Sequence, residues 1–169
     1  MLDNDDSFKD VSFKTQDGVV IRAHRAILSQ RCPFFNRMFL SGLRESQDTN
    51  EVIQIPNMTS RIFNLVLIYL YTEKFSIHIS DAVKLYQAAD LYGLDNLRKL
   101  CLQAVHDQVT FYNVCLFLRS AAESHCGPVQ EICILFMVKH FKEVSSSSNL
   151  ATIPHELLLE VLRRFGKAP

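Results

Sequence analysis

Between Asp10 and Leu40 the apolar and polar positions change period from that of a strand to that of a helix. Val11, Phe13 and Thr15 alternate with Ser12 and Lys14, the period of a half-buried strand. Asp17-Gly18 follows, a pair that tolerates the positive φ values of a two-residue turn. Val19, Val20 and Ile21 predict the return strand. After Ala23 the spacing becomes helical, with Ala26, Ile27, Gln30 and Arg31 marking about two turns. Pro33 opens a second short helix, where a missing N–H leaves nothing unsatisfied. Phe34, Phe35, Met38 and Phe39 form its apolar face.

The pattern then runs on through a polar turn, Ser46 to Asn50, into a strand, Glu51 to Ile55, ended by Pro56-Asn57. Thr59 or Ser60 is placed to cap the next helix. Ile62, Phe63, Leu65, Val66, Leu67, Ile68 and Leu70 cover nearly its whole circumference, which predicts a central helix. Ser80 starts another helix through Leu91, stopped by Gly93, and Asp95 starts the next, with Leu97, Leu100, Cys101, Ala104 and Val105 on one face. From Thr110 onward strand periods vanish. Val114, Phe117, Leu118 and Ala121 predict one helix, Gly127-Pro128 a break, and Val129, Ile132, Cys133, Phe136, Met137 and His140 a second. A short connection between them implies an antiparallel hairpin. Ser145 to Ser148 reads as a flexible tract, and Pro154 opens a last helix carrying Leu157, Leu158, Val161, Leu162 and Phe165.

Composition narrows the function classes. The 169 residues permit one large domain or two small ones, and 48% of them are apolar, enough for a sizeable core. Twelve Phe and no Trp point to a core of rings without indole donors. Lys plus Arg equals Asp plus Glu at 18 each, and no basic block is interleaved with aromatics, which argues against a nucleic-acid surface. No apolar run reaches the ~20 residues of a membrane span, since Ile62 to Tyr71 is interrupted by Asn64. Met1-Leu2 is followed at once by Asp3, Asp5 and Asp6, not by a signal-peptide pattern. The five cysteines, Cys32, Cys101, Cys115, Cys126 and Cys133, are odd in number and lack compact spacing. Reduced thiols in a cytoplasmic or nuclear protein are expected.

Candidate chemistry is sparse. No two of the five glycines lie close enough for a phosphate loop, and neither a nucleophile elbow nor an H-E-x-x-H pair is present. His155-Glu156 with Glu160 lacks a second histidine. His125, Cys126, Cys133 and His140 are zinc ligands by type, but Cys133 and His140 fall on the apolar helix face. Structural zinc sites favour ligand pairs two to four residues apart, so buried thiols are the preferred reading. His24, between strand and helix, reads as a structural hydrogen bond tying hairpin to helix, with Asp10 as candidate partner, rather than as a proton switch. No catalytic residue, cofactor or metal is expected.

One long pattern goes beyond periodicity. Asp10-Val11-x-Phe13, then Ala23-His24-Arg25-Ala26-Ile27-Leu28-Ser29, then Cys32-Pro33-Phe34-Phe35-x-x-Met38-Phe39 resembles the opening of a BTB/POZ domain. Ile68 to Lys74 and Ala88 to Leu97 resemble that family's later signatures. The tail resembles the first part of a BACK domain, the helical extension found after many BTB domains. The resemblance implies an α+β fold, a BTB/POZ domain over 8–108 followed by a partial BACK-like extension, or 3-box, over 109–169. The end at Pro169 is expected to be a cut within a longer protein.

The resemblance also implies a function. BTB adaptors that recruit cullin-3 carry an apolar-x-Glu element after the aromatic helix, and Leu43-Arg44-Glu45 occupies that place. Leu43 would enter a pocket of the cullin and Glu45 would accept hydrogen bonds. Tyr92 stands where such adaptors present an aromatic, and a half-buried helix-end tyrosine is the plainer reading. The chain is accordingly read as a protein–protein interaction module, a substrate adaptor of a cullin-3 ubiquitin ligase whose substrate region lies elsewhere. A self-association or corepressor-docking scaffold is the alternative. BTB homodimers usually place an extra N-terminal helix across the partner. Here only Met1 to Lys9 precede the first strand, so homodimerisation is expected to be weakened, with Ala26 to Phe39 as the remaining surface.

Overall fold

The structure is a computed structural model that describes residues 8–41, 52–146 and 148–167. They fall into two compact units. One takes Leu85–Arg98 together with the chain up to Ile77; the other takes His78–Lys84 and the chain from Lys99 onward.

The first unit is built on a three-stranded sheet of β1 (Val11–Thr15), β2 (Val20–Ala23) and β3 (Val52–Ile55), in the order β2-β1-β3. β1 pairs antiparallel with β2, placing Phe13 opposite Ile21, and parallel with β3, placing Phe13 opposite Ile53. Being central, β1 buries Val11, Phe13 and Thr15 on one face and leaves Lys14 in solvent, as its alternation predicts. The hairpin differs from the expected two-residue turn. Gly18 N–H donates to Thr15 O at 2.9 Å and Thr15 N–H to Val19 O at 3.0 Å, so the loop is Gln16-Asp17-Gly18, with positive φ at Gly18 alone. This three-residue form, with glycine in the left-handed position, is the next most common hairpin closure. Asp17 is kept out of the left-handed region while its carboxylate works elsewhere. That carboxylate accepts the Ser60 N–H at 3.0 Å, the Ser60 hydroxyl at 2.7 Å and the Thr15 hydroxyl at 2.6 Å.

Helices α1 (Arg25–Arg31) and α2 (Pro33–Leu40) follow. The Asp10 carboxylate accepts the Arg25 N–H at 2.7 Å and so satisfies the start of α1 from across the hairpin. Pro33 sits in the first turn of α2, as expected. Helix α3 (Ser60–Thr72) buries Ile62, Phe63, Val66, Leu67 and Leu70. It is not buried all round: Arg61, Asn64, Ile68 and Thr72 form an exposed strip. Thr59, the cap residue, makes no side-chain bond, and Asp17 takes that role. Glu73 ends α3 at φ 56, its N–H on Tyr69 O, and pairs with Arg31. Helices α4 (Ala82–Tyr92) and α5 (Asp95–Gln108) are separated by Gly93 at φ 68, the left-handed stop its position predicts.

In the second unit, α6 (Val114–Glu123) and α7 (Gly127–Lys139) form the expected hairpin. It is antiparallel: Phe111, ahead of α6, meets Phe136 and His140 at the far end of α7, with ring centroids 5.6 and 5.3 Å apart. The break lies before Gly127-Pro128, not at it. Pro128 is in the first turn of α7, and the reversal is made by His125 at φ 50. Val114, Phe117, Leu118, Ala121, Val129, Cys133 and Met137 are buried. A short α8 (Phe141–Val144) and the last helix α9 (His155–Phe165) complete the unit. Arg164 reaches Glu131 of α7 and Glu160 of its own helix, each at 2.6 Å, and Phe165 stacks on Phe141 at 4.4 Å.

Two outcomes are expected. The hydroxyls of Ser60 and Thr15 hold the Asp17 carboxyl down from 3.8 to about 2. A lowered folded-state value contributes stability that is present above the unfolded value and is lost as pH falls through the folded one. Melting temperature followed from pH 5 to 2 should therefore drop less steeply in Asp17→Asn than in the parent, with Asn the less stable at neutral pH. His125 is a non-glycine residue in the left-handed region, a conformation that costs roughly 1 kcal/mol for L-residues. His125→Gly should raise stability by up to about 1 kcal/mol in urea titration.

Candidate protein-interaction surface

Four rings set the floor of the surface in the first unit. Phe13 of β1 lies edge-on to Phe35 of α2 at 5.6 Å and to Phe63 of α3 at 5.0 Å. Tyr92, the last residue of α4, closes the group at 5.0 Å from Phe35 and 6.5 Å from Phe63. Phe34 lies edge-on to Tyr92 at 5.2 Å. Phe13, Phe35 and Phe63 are fully buried, and Phe34 reaches solvent. The cluster follows from the pattern Phe34-Phe35-x-x-Met38-Phe39: helical spacing puts Phe35 and Phe39 on one side, stacked at 6.1 Å, while Phe34 turns toward α4.

Tyr92 is 2% exposed, where a half-buried side chain was the plain reading. Gly93 stops α4 immediately after it, so its ring is turned under α2 instead of along the helix surface. Burial pushes its phenol well above the usual range. The Cys32 thiol, between α1 and α2, donates to the Tyr92 carbonyl at 3.5 Å, and burial raises that thiol too. Leu43 and Glu45 lie outside the described residues. The described part of α2 ends with Leu40, 76% exposed, and with the Ser41 hydroxyl donating to Met38 O at 2.8 Å.

His24 does tie the hairpin to a helix, but through Tyr71 of α3 and not through Asp10. The Tyr71 hydroxyl accepts the His24 N–H at 2.9 Å and lies 2.8 Å from Nδ1, an arrangement satisfied when Nδ1 accepts the phenol proton. Asp10 is taken up by Arg25. Beside this junction an open cleft of about 440 Å³ is lined by Gln30, Arg31, Tyr69, Glu73, Asp95 and Asn96, with the Arg31–Glu73 pair in its wall.

In the second unit the structure does not assemble His125, Cys126, Cys133 and His140. His125 is exposed on its turn, Cys126 and Cys133 are buried, and the His140 ring lies tilted against Phe136 at 4.7 Å. Among the described residues no three His, Cys, Asp or Glu side chains are grouped to hold a metal ion. Burial pushes Cys101 and Cys133 up to about 12, which leaves them poor nucleophiles at neutral pH. What sequence reasoning missed is a set of exposed apolar side chains on and just before the hairpin. Tyr112, Leu116 and Leu135 are exposed at 86%, 53% and 55%. Their signal was available: Leu116 and Leu135 are apolar residues that fall off the buried stripe of their helices.

Comparison with known proteins places these features. The family model "BTB/POZ domain" matches residues 1–108. The chain belongs to that family, a class of protein-interaction modules. It is similar to the Leucine-zipper-like transcriptional regulator 1 homolog of Drosophila melanogaster, 32% identical over 158 residues, which cover 92% of this chain and 16% of that protein. It is 30% identical over 165 residues to the ARM repeat protein interacting with ABF2 of Arabidopsis thaliana, covering 98% and 23%. Kelch repeat and BTB domain-containing protein 4 of Mus musculus is 27% identical over 156 residues, covering 92% and 28%. The chain thus spans less than a third of each of these relatives. Among solved structures, the BTB domain of zebrafish PATZ1 matches with a TM-score of 0.50 and 19% identity, over 60% of this chain and 78% of that one, a likeness of fold. Among the described residues no helix is long and apolar enough to cross a membrane.

Because Phe35 joins α2 to the sheet and to Tyr92, Phe35→Ala should destabilise the chain by about 3–5 kcal/mol in urea unfolding, the range for buried aromatic truncation.

Proposed function

We propose that this chain is the adaptor portion of a cullin-3 RING ubiquitin ligase, with a BTB domain over 8–108 and a BACK-like 3-box extension over 109–169. It works without catalysis or cofactor, in the cytoplasm or nucleus, by holding a cullin N-terminal domain while a substrate-recognition region elsewhere in the full protein holds the target. Leu43 would fill an apolar pocket on the cullin and Glu45 would accept its hydrogen bonds, with Tyr92 as the third residue on the cullin side. The observation that carries the reading is the exposure of Tyr112 just ahead of α6, Leu116 of α6 and Leu135 of α7, large apolar side chains left in solvent beside a buried apolar stripe. Large apolar side chains left outside a packed hairpin are the material of a docking surface. The Kelch repeats in the mouse relative's name support a separate recognition module in at least one such protein.

A second copy of the chain is the alternative occupant of the first unit. Ala26 is exposed and Ile27 half-exposed on α1, within the surface expected for a dimer. Light scattering alongside cullin capture separates the two.

The test is calorimetric titration of the 169-residue chain with a cullin-3 N-terminal domain. Leu43→Glu should weaken binding by more than about 30-fold, the scale of an interface hot spot, with an unchanged circular dichroism spectrum. Undiminished affinity in that variant would reject the assignment.

A further inference from the structure

Tyr92 carries an atom that its position does not call for. A phenylalanine would fill the same space among Phe34, Phe35 and Phe63 without bringing a hydroxyl into it. The Tyr92 hydroxyl is out of reach of water and has no hydrogen-bond partner among the described residues. Its surroundings explain why. The three ring neighbours offer no acceptor atom, and the Cys32 thiol spends its hydrogen on the Tyr92 main-chain carbonyl. An unmatched buried hydroxyl lowers the folded-to-unfolded ratio by about tenfold or more.

We infer that docking completes this group: the Tyr92 hydroxyl donates to a neutral acceptor, a main-chain carbonyl, on the bound partner. The inference rests on the adaptor reading above. The acceptor is neutral because a carboxylate placed among Phe34, Phe35 and Phe63 would lose its water with no cation to replace it. The approach is from the side of Phe34. Phe35 and Phe63 are fully buried, whereas Phe34 reaches the surface and covers Tyr92 edge-on at 5.2 Å. Docking therefore swings the Phe34 ring aside, and the cost carried by the free chain becomes affinity in the complex.

The experiment compares Tyr92→Phe with the parent in two measurements on the 169-residue chain. In the free chain, melting temperature should rise by about 2–4 °C, because the unmatched hydroxyl is gone. Against the cullin-3 N-terminal domain, Kd should rise by about three- to tenfold, the loss of one hydrogen bond. A melting temperature that stays level or falls means the hydroxyl is matched in the free chain and overturns the inference. A higher melting temperature with unchanged Kd overturns its docking half and leaves the adaptor reading standing. A parent chain that does not bind overturns the adaptor reading and the docking half together, while the melting comparison still decides whether the hydroxyl is unmatched.

Discussion

The contact between Phe13, Phe35, Phe63 and Tyr92 is where the first unit is held together, because each ring comes from a different element: the central strand, α2, α3 and α4. Edge-to-face pairs add about 0.5–1.5 kcal/mol beyond the area they bury, and they have preferred angles as well as distances. A cluster of this kind therefore orients helices rather than merely attracting them. Tyr92 is the one member that carries a polar atom, and it stands at the end of a helix.

Around that apolar centre the polar ties are long-range. Two helices begin on carboxylates supplied from elsewhere in the chain, α1 on Asp10 and α3 on Asp17, and the His24 pocket is closed by Tyr71. Each serves a main-chain N–H that would otherwise be unmatched at a helix start or strand end. The same residues thus finish local structure and set how the hairpin meets α1 and α3. A local cap from Thr59 would finish α3 without linking it to anything.

The second unit uses a different economy. Its hairpin interior combines thiols and small groups, Cys115, Ala121, Val129 and Cys133, with the larger Phe117, Leu118, Ile134 and Met137. Tyr112, Leu116 and Leu135 fall off that buried stripe and remain in solvent.

Much of this was legible in the chain itself. Periodicity alone places β1, α1, α2, α3 and the α6–α7 hairpin, since alternation and helical spacing are local consequences of which face is buried. Gly93 and Pro33 declare a helix end and a helix start because their backbone limits are intrinsic. What sequence left open was every choice that depends on a distant partner. Asp17 looked like a turn residue, yet its carboxylate belongs to a helix 43 positions away. His24 was expected to bond Asp10, and proximity in space gave it Tyr71 instead. Tyr92 looked like a helix-end tyrosine half in solvent, and only the packing of α2 over α4 buried it and isolated its hydroxyl. Residue type determines which bonds a group can make; the folded path of the chain decides which atom is near enough to make them.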